Sequence, residues 1–224
     1  PTIRGYANFL LYKCQDFENA RYYFERIIQL EPSDEAHISL AEIYRIHLKD
    51  AVKSKLHYDA VFKNDPQIPE LYCDYATLLD KGFGDKEGAK ENFEKAITLS
   101  QKNPNHKIFY EYAIFLEDAY KDYKNANLYY EKTFELNPED DIIHLNYAIF
   151  LSNNSGDNRP IGDIIHHLKE AIRINPKNAL ALYYLSRWIS IFKKDLALEY
   201  YEKAIKIDNK LKDLEFEKQL ETED

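Results

Sequence analysis

The 224-residue sequence contains no methionine, one tryptophan, six glycines and eight prolines. So little glycine and proline excludes a collagen-like or loop-dominated chain and favours helix. Cysteine is scarce as well: Cys14 and Cys73 lie far apart and form no CxxC. A disulfide framework, a Cys-rich zinc site and a thioredoxin-type motif are therefore excluded, and a reducing compartment is expected. Positive charge is in deficit, with 30 Lys and Arg against 39 Asp and Glu and a net charge of −9. That balance argues against a nucleic-acid or anionic-membrane surface. No 18-residue apolar run and no leader-like opening are found, so the expected location is the cytoplasm, with the nucleus as the alternative. The missing methionine, together with Pro1 inside a helical pattern, leads us to expect a piece of a longer protein. What is plentiful is ordinary folded material: 45% hydrophobic and 31% charged residues, with 19 tyrosines.

That material is repetitive. "ARYYFERIIQLEP" (20–32), "AKENFEKAITLSQ" (89–101), "ANLYYEKTFELNP" (126–138) and "ALEYYEKAIKIDN" (197–209) are variants of one segment. They align on Ala20, Ser54, Ala89, Ala126, Ile164 and Ala197. Phe24, Tyr58, Phe93, Tyr130, Leu168 and Tyr201 follow four residues later, and Ile27, Val61, Ala96, Thr133, Ala171 and Ala204 three after those. A second set, including "GYANFL" (5–10), "DYATLL" (74–79), "EYAIFL" (111–116) and "NYAIFL" (146–151), aligns on Ala7, Ala41, Ala76, Ala113 and Ala148, with Leu185 breaking the series. Offsets of four and three place small and aromatic residues on one helical face. Each unit therefore reads as two amphipathic helices, A and B, packed antiparallel. Pro32, Pro66, Pro104, Pro138 and Pro176 close the B helices, and acidic clusters suit the next helix N-terminus.

The small residue of helix A, the Ala-x3-aromatic-x2-Ala frame of helix B and the closing proline resemble the tetratricopeptide repeat over essentially the whole chain. The resemblance implies an all-α fold, an α-solenoid forming a right-handed superhelix of about six antiparallel helix pairs. The expected units are 1–33, 34–68, 69–105, 106–140, 141–177 and 178–209 in one solenoid, with a capping helix at 210–220 built on Leu211, Leu214 and Leu220 and a disordered "ETED" end. Three departures stand out. The family's early helix-A Trp is missing, and Trp188 sits late. Ile164 and Thr133 replace alanines, so those units are expected to pack less regularly. "LLDKGFGDKEGAKENFEKA" (78–96) leans toward the Sel1-like variant of the repeat. A pentatricopeptide reading, which would imply RNA, conflicts with the acidic balance. Insertions are expected between helices at "GFGD" (82–85), "EDAYKD" (117–122) and "SNNSGDNRPIG" (152–162), the last as a protruding loop.

Chemistry-bearing motifs are lacking. His166 and His167 are adjacent and diverge on a helix, so they cannot jointly hold a metal without other ligands. His37, His47 and His57 fall on different helices and read as surface or boundary residues. No HExxH, P-loop or GxSxG is present, and neither cysteine has the neighbours that activate a nucleophile. We therefore expect no enzyme activity, no cofactor and no metal.

In the tetratricopeptide family the A helices line a concave groove that holds peptides or helices. Counting from each small residue, the resemblance places Arg4, Asn8, Tyr12, Glu35, Ser39, Glu42 and Arg45 on the early ridge. Glu70, Asp74, Thr77, Asp80, Glu111, Glu117 and Asp118 follow in the middle. Ile142, Leu145, Asn146, Ile149, Tyr183, Ser186 and Ile189 come last. The expected binding residues are Asn8, Glu42, Glu70, Asp74, Glu111, Leu145, Asn146, Ile149 and Tyr183. The family's carboxylate clamp for Hsp70 and Hsp90 tails needs Lys, Asn, Asn, Lys and Arg. Here Arg4 and Asn8 fit the first pair, but Ser39, Glu70 and Asp74 stand at the others, so such tails would be repelled. The expected role is a protein-interaction scaffold for a basic segment flanked by apolar residues. A regulatory region of a larger enzyme, or a self-associating subunit of an assembly, are the alternatives.

Overall fold

The structure is a computed structural model; it describes residues 2–31, 33–154 and 160–221. Helices account for all the regular structure among these residues, with no strand. In chain order they are α1 (Ile3–Phe9), α2 (Phe17–Leu30), α3 (Asp34–Glu42), α4 (Ala51–Phe62), α5 (Pro69–Leu78), α6 (Lys86–Leu99) and α7 (His106–Phe115). Then come α8 (Tyr123–Leu136), α9 (Asp141–Asn154), α10 (Ile161–Ile174), α11 (Ala179–Ile189), α12 (Lys194–Ile207) and α13 (Leu214–Glu221). They form two compact units, Pro1–Tyr129 and Tyr130–Asp224. None of the described helices is long and apolar enough to cross a membrane.

In both units helices neighbouring in sequence pack together, A against B and B against the next A. The repeat frame is the packing frame. Ala7, Ala41, Ala76, Ala113 and Ala148, all the B-helix residues aligned with Ala20, and the aromatic or leucine four residues on are no more than 2% exposed. A methyl or hydroxymethyl group lets the partner helix approach, and the ring one turn later fills the space beside it. Burying each such ring contributes roughly 1.5–3 kcal/mol. Serine serves at position 54 because its Oγ donates to the Ala41 carbonyl across the helix pair, at 2.8 Å. Ile164 and Thr133 are as fully buried as the alanines they replace.

Four of the A–B connections follow one design. After α1, α3, α5 and α7 comes a π-helical turn: Leu10–Cys14, Ile43–His47, Leu79–Phe83 and Leu116–Tyr120. One residue then takes positive φ: Gln15 (55°), Lys49 (56°), Gly84 (67°) or Lys121 (55°). An aspartate follows whose N–H returns to the start of the turn: Asp16 to Leu10 O, Asp50 to Tyr44 O, Asp85 to Leu79 O and Asp122 to Leu116 O, at 2.9–3.0 Å. The same aspartates cap helix B by accepting from Asn19, Lys53, Gly88 and Asn125 N–H. This is a Schellman-type stop joined directly to an N-cap start.

That design corrects two of the expected insertions. Thirteen residues separate the helix-A alanine from the helix-B small residue in all four of these units, so "GFGD" and "EDAYKD" are standard turns. The extra length of the third unit lies past α6, in a 3-10 turn at Ser100–Lys102. In the longest connection Ser152–Asn154 continue α9 and Ile161 starts α10; residues 155–159, including Gly156, lie outside the described residues, as do Pro32 and 222–224. The C-terminal helix is anchored by Phe216 (2% exposed) and Leu220, whereas Leu214 is largely exposed.

Candidate ligand groove on the A helices of the first unit

Helical spacing decides which side chains meet. Glu42 ends α3 and Arg45 lies one turn on, in the π-helical turn that follows, while Glu70 and Asp74 lie one turn apart on α5. Glu111 lies two residues before the small Ala113 of α7, as Asp74 lies before Ala76. The alanines set the helix spacing, so these neighbours fall at equivalent heights on adjacent A helices. Glu70, Asp74 and Glu111 line a cavity of about 240 Å³ together with Arg45, Lys107, Ile46, Ile108 and Cys73.

The Arg45 guanidinium donates from Nη2 to Asp74 Oδ1 at 2.8 Å. Glu70 Oε1 accepts from Asn105 Nδ2 at 2.8 Å, and Asn105 also caps α7 through Lys107 N–H. Burial, then the charge of Asp74, pushes the Glu42 and Glu111 carboxyls above their ordinary range. Burial also raises Asp74, against the pull of Arg45 and Lys107. Arg45 and Lys107 act on these carboxylates and Lys81 also reaches Glu111, so the four carboxylates outnumber the cations around them. The Cys73 thiol is driven up by burial first and by Asp74 and Glu111 next, which keeps it protonated and a poor nucleophile. Among the described residues no three His, Cys, Asp or Glu side chains are arranged to hold a metal.

The remaining expected ridge residues divide. Asn8 lines a cavity of about 400 Å³ with Arg4, Tyr12, Glu35 and Ser39. Arg4 is already engaged there by Glu35 and by Glu31 at 3.5 Å, which leaves less of its charge for an acidic tail. Asp80 and Asp118 both bind Lys81, at 3.2 and 3.0 Å. In the second unit Leu145 is 6% exposed, and Asn146 and Ile149 are half-buried. Tyr183 donates to Asp213 at 3.1 Å and meets the Phe216 ring edge-on, so the chain's own C-terminal segment covers part of it. The carboxylates were legible as ridge positions in the sequence. The ion pair of Arg45 with Asp74 was not, because it spans 29 residues.

The family model for the tetratricopeptide repeat matches residues 69–103 and 189–211. The first of these stretches contains the segment that leans toward the Sel1-like variant. No curated protein matches the sequence. Among solved structures, PilF of Pseudomonas aeruginosa superposes with a TM-score of 0.77 at 18% identity, over 96% of this chain and 94% of that one. PilW, a type IV pilus biogenesis factor, gives 0.74 at 16% identity, over 97% and 94%. YrrB, described as a tetratricopeptide-repeat protein with an unusual peptide-binding site, gives 0.60 at 21%, over 84% and 94%. Tetratricopeptide repeats are thus matched at residues 69–103 and 189–211, and the chain has the fold of a tetratricopeptide-repeat α-solenoid.

Proposed function

We propose that the chain is a non-enzymatic interaction module whose first unit receives a partner segment carrying Lys or Arg flanked by apolar residues. The observation that carries this reading is the cavity lined by Glu70, Asp74 and Glu111 with Arg45 and Lys107, where Glu42 stands nearby and the carboxylates outnumber the cations that reach them, Lys81 included. A cation from outside stabilises carboxylates whose charged form burial first, and their neighbours' charge next, disfavours. Ile46, 42% exposed at the cavity edge, offers an apolar contact beside it. Charge complementarity then governs encounter and specificity more than raw affinity. The peptide-binding site named for YrrB supports the general role, at the level of fold.

The test is a fluorescence-anisotropy titration of the full chain with apolar 15-residue peptides bearing two Lys or two Glu. The variant is Glu70→Gln with Glu111→Gln, which leaves the Arg45–Asp74 pair intact. We expect the basic peptides alone to bind, more weakly as salt rises, and about 10-fold more weakly to the variant, the scale of one to two charge-assisted contacts. Equal binding of acidic peptides, or an unchanged variant, overturns the reading.

A further inference from the structure

Histidines recur in two helix pairs at the same two register positions. His37 stands four residues before Ala41, and His144 four before Ala148. His57 stands three after Ser54, and His167 three after Ile164. The sequence places His37 and His57 on different helices as surface or boundary residues and takes His167 only with its neighbour His166; folding brings His37 to His57 and His144 to His167. His37 Nδ1 meets His57 Nδ1 at 2.9 Å, and His144 Nδ1 meets His167 Nδ1 at 2.8 Å. Elsewhere the same two positions hold Tyr72 with Asn92, and Phe109 with Tyr129. Packing alone therefore does not demand imidazole there.

Two ring nitrogens at this distance share a single proton. The second pair has a defined direction. The Pro138 carbonyl can only accept, and His144 Nε2 lies 3.0 Å from it. Nε2 therefore carries the hydrogen of neutral His144, its Nδ1 accepts, and His167 donates from Nδ1. Doubly protonated rings would point N–H at N–H, and the contact could not persist.

The surroundings add to this constraint. In the first pair Tyr44 lies flat on His57, with centroids 5.7 Å apart, and donates to Glu25 on α2. Glu25 is also bound by Arg21 of α2, and Lys53 of α4 stands over the Tyr44 ring. Asp34 of α3 and Lys63 after α4 are the other charges that reach His37. In the second pair Phe134 of α8 packs on both rings, at 4.7 and 5.0 Å, and Tyr147 of α9 meets His167 edge-on. Acidic neighbours there are Glu131 and Glu135 of α8, Glu139 after it and Glu170 of α10, with the imidazole of His166 of α10 beside them. Arg173 binds Glu139 and Glu170 at 2.7 and 2.8 Å. This pair lines a cavity of about 700 Å³.

We propose that each histidine pair is a proton-operated clasp, which ties an A helix to its B helix through one shared proton when neutral and releases that helix pair when both rings charge. Burial first, and the partner ring next, hold His57 and His167 at about 4; burial also lowers His37. An unfolded histidine titrates near 6.5. Since the folded values are depressed, the unfolded chain takes up protons first. The clasp is at full strength above about pH 6.5 and is lost as pH falls toward about 4.

The test uses the full chain. Long-range ¹H–¹⁵N spectra of the imidazoles between pH 7.5 and 4 should show the hydrogen on Nε2 of His144 and on Nδ1 of His167. They should also show His57 and His167 still neutral at pH 5. Urea unfolding at pH 7.5 and 5 should lose about 10-fold in the folding constant per pair, after allowance for solvent screening. His57→Gln and His167→Gln, which keep a donor and an acceptor without a titration, should remove that loss. Rings that titrate near 6.5, or an unchanged pH slope in the variants, overturn the clasp. Equally, tight Zn²⁺ binding that shifts both Nδ1 signals of a pair makes it a metal site instead. Should the Gln variants fail to fold, the wild-type spectra decide alone.

Discussion

Tyr58 buries its hydroxyl beside the Arg45 guanidinium, which interacts with it, yet neither that hydroxyl nor Arg45 Nε makes a well-aligned hydrogen bond among the described residues. Phe24 and Phe93 occupy the equivalent place in other units, so the ring fits there without its oxygen. A buried hydroxyl carries a desolvation cost that a poorly aligned neighbour offsets only in part. Tyr58→Phe should therefore stabilise the chain by about 1 kcal/mol, read as a higher urea midpoint with an unchanged slope. A lower midpoint would mean that the hydroxyl has a bound partner. Residues of this kind mark the limit of legibility. The small and aromatic positions could be read because their period is local and chemical type alone identifies them. Arg45 with Asp74, or His144 with His167, could not, because each contact joins residues 23 or more positions apart and depends on which helix faces which.

At the scale of the element, the shared A–B turn carries the design. Its left-handed residue is glycine only at position 84; Gln15, Lys49 and Lys121 take the same conformation at a steric cost. A Cβ at Gly84 would meet no neighbouring atom, so only the backbone conformation opposes one. Gly84→Ala should cost about 1 kcal/mol, and Lys121→Gly should gain a similar amount, each measured by urea unfolding. The next residue stops one helix and starts another, so Asp85→Ala should cost about 1 kcal/mol through the lost cap to Gly88 N–H. Asp16, Asp50, Asp85 and Asp122 each stand four residues before the helix-B small residue, so the pattern was visible in the sequence. In sequence, though, these aspartates are not set apart from the other acidic residues near helix starts, because their distinguishing contact is made by the backbone. Only the backbone bond from aspartate to the start of the π-helical turn shows why the thirteen-residue span cannot vary.

For the whole chain, two sets of groups link stability to pH with opposite signs. Glu42, Asp74 and Glu111 have carboxyls raised by burial, so the folded state holds protons that the unfolded chain has already released. Their contribution falls as pH rises through the raised values and recovers on acidification. Histidine pairs behave the other way, losing their contribution from about pH 6.5 downward. The first compact unit contains both the carboxylates and the His37–His57 pair. The second contains the His144–His167 pair and no comparable cluster among its described residues. Acidification should therefore act on the two unequally. In the first unit, protonation of carboxyls raised by burial works against the loss of the clasp; the described residues of the second hold no such group of carboxyls. Amide hydrogen exchange at pH 7.5 and 5, corrected for intrinsic rates, should show α9 and α10 losing protection at pH 5 while α3 and α4 keep most of theirs. Glu42→Gln with Glu111→Gln should remove the offset, and α3 and α4 should then lose protection on acidification as well. Uniform loss in both units of the wild-type chain would show that the carboxylates and the histidines are not opposed in this way.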